Sequence, residues 1–321
     1  MKLITFEDIQ SMKIAPEECF RWVSEMIAGK NEALLPPKIS IKPFDGVFCN
    51  VMPSMVPEES GLKGALKMVT RYPQREPALE SEILLFDAES GERLALMDCT
   101  WITAMRTGAV AAHSILLLAK KNFCRIGMMG LGNVSRAALL FIASLVTDRE
   151  LEIRLLRHKG QEESFSERFR EIPNLRFSYA DTAYEVVKGS DVVISGVTYA
   201  PEDFCSDDAF DEGVLVVPIH TLGFTNCDFF FDKVFADDVG HVCHFRNFDK
   251  FRKFGEVCDV VNGKIPGRES DRERILAYNI GISVHDTNFA WHIYEEAEKN
   301  TAFFHGLKDI DLQQPSGKFW I

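Results

Sequence analysis

The residues best placed to do chemistry lie in two neighbouring runs, 103–112 (TAMRTGAVAA) and 125–136 (RIGMMGLGNVSR). The second run predicts a buried strand, a glycine turn and then a helix through 137–146 (AALLFIASLV). A dinucleotide pyrophosphate needs that strand–turn–helix context. Gly130 permits the tight turn, Gly132 lets the backbone approach the phosphates, and the small Ser135 lets the helix pack closely on the strand. The amides of Asn133, Val134 and Ser135 would face the anion, whose charge the helix dipole favours. By itself the pattern also describes a turn that binds nothing. The T-x-x-R-T segment at 103–107 shifts the balance towards a site.

A dinucleotide turn of this kind serves hydride chemistry, which on a carboxylate-bearing substrate has three requirements. Fixed cations must hold the carboxylate, a side chain must move a proton, and a hydride carrier must lie against the carbon. Arg106 supplies a bidentate cation on a predicted helix over 103–120, with a surface arginine as the plainer reading. Lys67 sits in an apolar strand, ALKMV at 65–69, where a lysine is costly unless it faces solvent or works on a proton. The second strand of the nucleotide unit ends in Arg157-His158-Lys159 and carries no carboxylate. An acid at that position bonds the ribose hydroxyls of NAD, whereas bases accommodate the extra phosphate of NADP. Arg157 and His158 therefore point to NADP, with NAD the alternative and solvated loop charges the bland reading.

A chain of 321 residues buries a large core and is expected to form two domains. A net charge of −12 argues against nucleic acid as a partner, since phosphate binding wants a basic surface. The N-terminus lacks the apolar run of a signal peptide, and no stretch is expected to reach the ~20 apolar residues of a membrane span. The eight cysteines never form C-x-x-C, which suits reduced thiols in a cytoplasmic protein. His241, Cys243 and His244 stand too close in sequence to converge on one ion, so no metal is expected.

The elements that must position these residues fall into two styles. The first hundred residues read as α+β: an amphipathic helix over 16–27, then short strands around 39–41, 46–51, 64–70 and 82–87. The turn at 87–91 separates two apolar runs in the manner of a hairpin. From Arg125 onward, strands at 125–129, 152–156, 176–179, 192–195, 214–219 and 233–236 alternate with helices. That rhythm implies an α/β fold, a Rossmann-type doubly wound parallel sheet. A last helix is expected over 286–298, with Asp286 either its N-cap or a functional acid.

Taken in order, these runs resemble the ornithine cyclodeaminase/mu-crystallin family over nearly the whole chain. Its pieces are PPK at 36–38, Met52-Pro53, LKMVTRYP at 66–73, TAMRT at 103–107, the glycine turn, SDVVIS at 190–195, ADD at 236–238 and GISVHD at 281–286. The resemblance implies a discontinuous α+β domain, 1–115 with 287–321, for substrate binding and dimerisation, and a nucleotide domain over 116–286. It implies a homodimer and a small α-imino or α-amino acid substrate. Lys67 and Arg106 match the family's catalytic and carboxylate-binding residues, and Lys38 and Met52 fall at substrate-binding positions. Thr107 and Gly281 would lie near the nicotinamide.

Two departures stand out. Lys38 replaces an arginine, keeping the charge but losing the planar fork. Where ornithine cyclodeaminases carry an aspartate, this chain has His220 or Thr221; a neutral histidine there could relay a proton or hold a polar substrate group, or equally be a buried structural residue. An NAD(P)-dependent imine reductase or amino-acid dehydrogenase is therefore the first expectation. A cyclodeaminase, and a nucleotide-dependent binder of small ligands as mu-crystallin is, are the alternatives.

Overall fold

The computed structural model describes residues 1–197, 202–220, 230–245, 247–313, 315 and 317–318. Two sheets organise these residues. Strand β1 (Lys2–Ile4) leads through helices α1 (Phe6–Ser11) and α2 (Pro16–Gly29) into β2 (Ile39–Ile41), β3 (Phe48–Glu58), β4 (Gly61–Arg71), β5 (Leu79–Asp87) and β6 (Arg93–Asp98). Neighbours from β2 to β6 pair antiparallel, and β1 lies parallel to β6. The strands β3 and β4 run further than the apolar pattern predicts, because they form one long hairpin turning at 59–60.

The period of two decides what this sheet buries. Met52, Lys67, Ile83 and Met97 stand in one cross-strand row and all four are buried. The adjacent row, Pro53, Leu66, Leu84 and Leu96, faces the other way and is only half-buried or exposed. Lys67 is thus an inward-facing residue, flanked by apolar side chains.

Helix α3 (Thr100–Leu118) then carries the chain towards the second sheet. It is long and apolar enough to cross a membrane, which the sequence reading does not anticipate. In this structure 61% of its most apolar window is buried, with α2 and helix α4 (Asn133–Leu145) packed against it. The closest approach is at Gly108, where a Cβ would sit 2.6 Å from both the Ala137 Cβ and the Ala138 nitrogen. Arg106, two residues before Gly108, lies on a different face of α3 and meets Asp286 instead.

The second unit runs β7 (Arg125–Met129), α4, β8 (Leu151–Leu156), α5 (Gln161–Glu167), β9 (Leu175–Ala180), α6 (Ala183–Val187), β10 (Val192–Ser195) and β11 (Leu215–Pro218). It continues through β12 (Lys233–Ala236), α7 (Val239–Val242), β13 (Phe254–Glu256), α8 (Val257–Val261) and β14 (Ile275–Tyr278). All these strands pair in parallel, in the order β13-β12-β14-β11-β10-β7-β8-β9. The order reverses between β7 and β10, the switch point at which such sheets bind ligands. Strand β14 lies inside the sheet yet escapes the sequence reading. It is four apolar residues long and buried throughout, so it offers no periodicity to detect.

Helix α9 (Ser283–Lys299) returns to the first sheet and packs on β3, β4 and β5. Ser283 Oγ donates to the Pro53 carbonyl at 2.9 Å, and the hydroxyls of Ser54 and Thr287 are 2.6 Å apart. After α10 (Thr301–Gly306), strand β15 (Lys308–Asp309) pairs with β1. The ends of the chain thus join the same sheet.

Candidate active site

Three side chains from three elements meet where α9 crosses the first sheet. Asp286, on the first turn of α9, accepts from Lys67 Nζ of β4 at 2.8 Å and from Arg106 Nε of α3 at 2.9 Å, both on Oδ1. Their exposures are 0%, 1% and 4%. Lys67 also bonds Thr103 Oγ1 at 2.6 Å, and Thr103 lies 3.0 Å from Ser81 Oγ. Burial works against the charge of Asp286, but Arg106 and Lys67 outweigh it and hold its carboxyl below the ordinary aspartate range. Lys67 is tolerated in an apolar row because that carboxylate neutralises it. Arg106 Nη1 and Asp286 Oδ2 are buried without a partner among the described residues. Buried polar groups are ordinarily bonded, so an unspent guanidinium nitrogen marks a place for a ligand's acceptor.

Asp286 is therefore not the helix cap. The helix begins at Ser283 with Ile282 in the N-cap position, and Asp286 stands inside the first turn. Gly281 stands against Arg106. Its φ of +81° suits glycine, and a Cβ there would lie 2.5 Å from Arg106 Nη1. The close approach it permits is made by the protein's own arginine.

Lys38 is half-buried ahead of β2, and burial lowers its ammonium to about 8, with Asp237 opposing and Arg106, Lys42 and Lys67 reinforcing the change. It thus shares the electrostatic environment of Arg106 and Lys67. Met52 is buried beside Lys67 in the cross-strand row. Thr107 is buried, and its hydroxyl donates to the Thr103 carbonyl at 2.7 Å within α3.

His220, at the carboxyl end of β11, is held at 3.2 Å by Ser195 Oγ of the neighbouring strand. Burial lowers it to about 4, so it is neutral near pH 7. No hydrogen bond joins it to Lys67, Arg106 or Asp286 among the described residues. Thr221 lies outside the described residues.

The glycine turn sits at the switch point. Gly130 has a φ of +76°, and a Cβ there would lie 2.4 Å from the carbonyl carbon of Gly196, just after β10, leaving no room for a side chain. Ser135 Oγ donates to the Gly130 carbonyl at 2.5 Å and ties turn to helix. Gly132 is the N-cap of α4 and brings no side-chain acceptor to the first amides of Asn133, Val134 and Ser135. A Cβ at Gly132 would meet nothing within 4 Å. Unspent helix amides behind an open glycine fit a pyrophosphate.

Beyond β8, Arg157 is exposed, lies over the Tyr179 ring at 5.5 Å and pairs with Asp181 at 3.5 Å. His158 is exposed and donates its backbone N–H to Glu162 at 3.1 Å. Strand β8 carries no terminal acid, but β9 brings Asp181 beside Arg157. Sequence reasoning missed that acid because it follows a different strand.

A parallel switch-point sheet with an uncapped glycine turn, beside a second, mostly antiparallel sheet that buries Lys67, defines an α/β protein with a dinucleotide-type turn. The chain belongs to the ornithine cyclodeaminase/mu-crystallin family, which matches residues 5–301. Among curated relatives it is 26% identical over 283 residues to nodulation efficiency protein NfeD of Rhizobium meliloti, covering 82% of this chain and 84% of that one. It is 28% identical over 244 residues to N-((2S)-2-amino-2-carboxyethyl)-L-glutamate dehydrogenase of Staphylococcus aureus, covering 68% of each. Among solved structures, Δ1-pyrroline-2-carboxylate reductase of Thermococcus litoralis, in complex with NADH and L-proline, superposes with a TM-score of 0.83. It has 24% identity and covers 97% of this chain and 100% of that one.

Proposed function

We propose that this protein is an NAD(P)-dependent oxidoreductase acting on an α-imino or α-amino acid, of the ketimine or pyrroline-carboxylate reductase or amino-acid dehydrogenase type. The observation that carries the reading is the buried Arg106, anchored through Nε and unspent at Nη1, beside a lysine held by the same carboxylate. The relatives that act on imino and amino acids point the same way.

In this reading the nicotinamide, when bound, supplies or removes a hydride at the substrate α-carbon. The turn at 130–135 would hold its pyrophosphate, with the α4 amides as donors. Arg106 orients the substrate carboxylate through its free edge, and Lys38 adds a second cation. Lys67 gives a proton to the substrate nitrogen in the reducing direction and takes one in the oxidising direction. Asp286 aims both cations, and Thr103 fixes the Lys67 ammonium from the other side. Neutral His220 offers no anion for a distal ammonium, which argues against ornithine cyclisation. Arg157 favours NADP, while Asp181 could bond the ribose hydroxyls of NAD.

We also propose a homodimer built on the outer face of the first sheet. Leu66 and Met68, exposed to 44% and 43%, stand there beside Leu84 and Leu96 on neighbouring strands. The test of function is a panel of cyclic imino acids, and of α-keto acids with ammonia, followed by NADPH and NADH consumption. Turnover is expected with α-carboxylate imines; absence of turnover across the panel, with the nucleotide tightly bound, would favour a binding protein.

A further inference from the structure

Asp237 follows β12 and lies behind Arg106. Its Oδ2 accepts the Gly281 N–H at 2.9 Å, and its own N–H donates to the Tyr278 carbonyl at 3.2 Å. Its Oδ1 is buried without a partner among the described residues. It lines a small cavity with Val110 and Ser114, which stand one and two turns along α3 from Arg106, and with Asn279 and His285. Asn279 Oδ1 and His285 Nδ1 likewise lack partners among the described residues. These unpartnered polar atoms and the size suit about one ordered water.

The geometry links this acid to the anchor through one residue. Gly281 stands with φ +81°, and the position of its missing Cβ is 2.5 Å from Arg106 Nη1 and 3.1 Å from Nη2. The Gly281 turn thus packs against the guanidinium, while Asp286 grips Nε. A bond to one nitrogen leaves the fork free to pivot, and backbone packed against the guanidinium limits that freedom.

The charged and titratable groups around Asp237 are Arg106 from α3, Lys38 from the loop before β2, and Asp238 and His241 at α7. Lys30, Cys258 and His285 lie around the cavity. Lys30 is engaged by Asp238 at 2.8 Å and Glu256 at 2.7 Å, and His241 by Asp238 at 2.7 Å. Burial raises the carboxyl of Asp237 to about 6 despite the Gly281 bond, so a charged acid is kept here at a cost.

We infer that Asp237 is a positioning residue for Arg106: by holding the Gly281 N–H it fixes the turn that sets the angle of the guanidinium towards an arriving carboxylate. The inference rests on the reading of Arg106 as the carboxylate anchor.

The test measures L-proline binding by calorimetry to the NADPH-saturated protein, together with KM and kcat for the imine it turns over. Asp237→Ala is expected to weaken carboxylate binding by about tenfold or more, as small misalignments of a positioned group do, with NADPH affinity unchanged. Asp237→Asn keeps an oxygen for the same N–H and is expected to restore binding to within roughly threefold. Gly281→Ala, which pushes directly on the guanidinium, is expected to reproduce the loss. Crystal structures of Asp237→Ala and the wild type read the same quantity without substrate, and the turn and guanidinium are expected to shift together. A superposable guanidinium, or lowered thermal stability with unchanged carboxylate affinity, overturns the inference and leaves Asp237 a structural acid. Unchanged affinity in Arg106→Ala overturns instead the reading on which it rests.

Discussion

Replacing Asp286 by asparagine exchanges one oxygen for an amide nitrogen and removes one charge, at a place where two cations depend on it. Lys67 and Arg106 approach the same oxygen at 2.8 and 2.9 Å, and all three groups are almost wholly buried. The carboxamide that replaces the acid could still accept a bond, but two buried cations would be left with no anion. Removing one partner of a buried ion pair costs about 3–5 kcal/mol, so Asp286→Asn should lose about that much stability. For a domain of this size the loss corresponds to a fall of roughly 5–10 °C in Tm.

The pH dependence has a definite sign. The carboxyl of Asp286 is lowered in the folded protein. Its contribution is therefore fully present above the unfolded aspartate value of about 4 and is lost as pH falls through the folded value. Differential scanning of wild type and variant should show a constant gap in Tm from neutral to mildly acidic pH, narrowing only in stronger acid. A gap smaller than about 2 °C at neutral pH, roughly 1 kcal/mol or less, would refute the claim that this carboxylate neutralises a buried pair.

Lys67→Met keeps the volume and removes the proton-moving group, and kcat should fall by at least about 10²; near-normal kcat would show that Lys67 only fills space. Arg157→Asp should weaken NADPH binding by about 1.5–3 kcal/mol, the range for a charged hydrogen bond, and spare NADH. Asp181→Asn should do the reverse, and equal losses for both nucleotides in either variant would remove that residue from nucleotide selection. Leu66→Glu combined with Met68→Glu places two charges on the proposed interface and should halve the mass measured by light scattering, whereas an unchanged mass would locate the interface elsewhere.

The nucleotide unit was legible because its logic is local. Strand, glycine turn and helix follow one another within 125–145, and Gly130 and Ser135 do what their types predict. Lys67 was legible as a choice between two faces, and β4 resolves it by burying Ala65, Lys67 and Val69 while exposing Leu66 and Met68. What stayed hidden depends on contacts across long sequence separations. Asp286 reads equally as a cap or as a functional acid, and only its meeting with residues 67 and 106 reveals the shared carboxylate. Asp181 reaches Arg157 from another strand, and Asp237 reaches Arg106 through the backbone of Gly281. A buried acid in ADD at 236–238 carries no local mark that separates it from its neighbours. The signal that could have pointed to it is Gly281 itself, a glycine needed just ahead of a helix whose backbone must be held.

The central claim is that Arg106 receives the carboxylate of an imino or amino acid while nucleotide binds elsewhere. Its most direct test is NADPH-dependent reduction of Δ1-pyrroline-2-carboxylate and related cyclic imino acids by the wild type and by Arg106→Ala, with NADPH affinity measured on both. The account predicts turnover by the wild type, loss of turnover in the variant and equal NADPH affinity. Near-normal kcat/KM in a folded Arg106→Ala protein would contradict it.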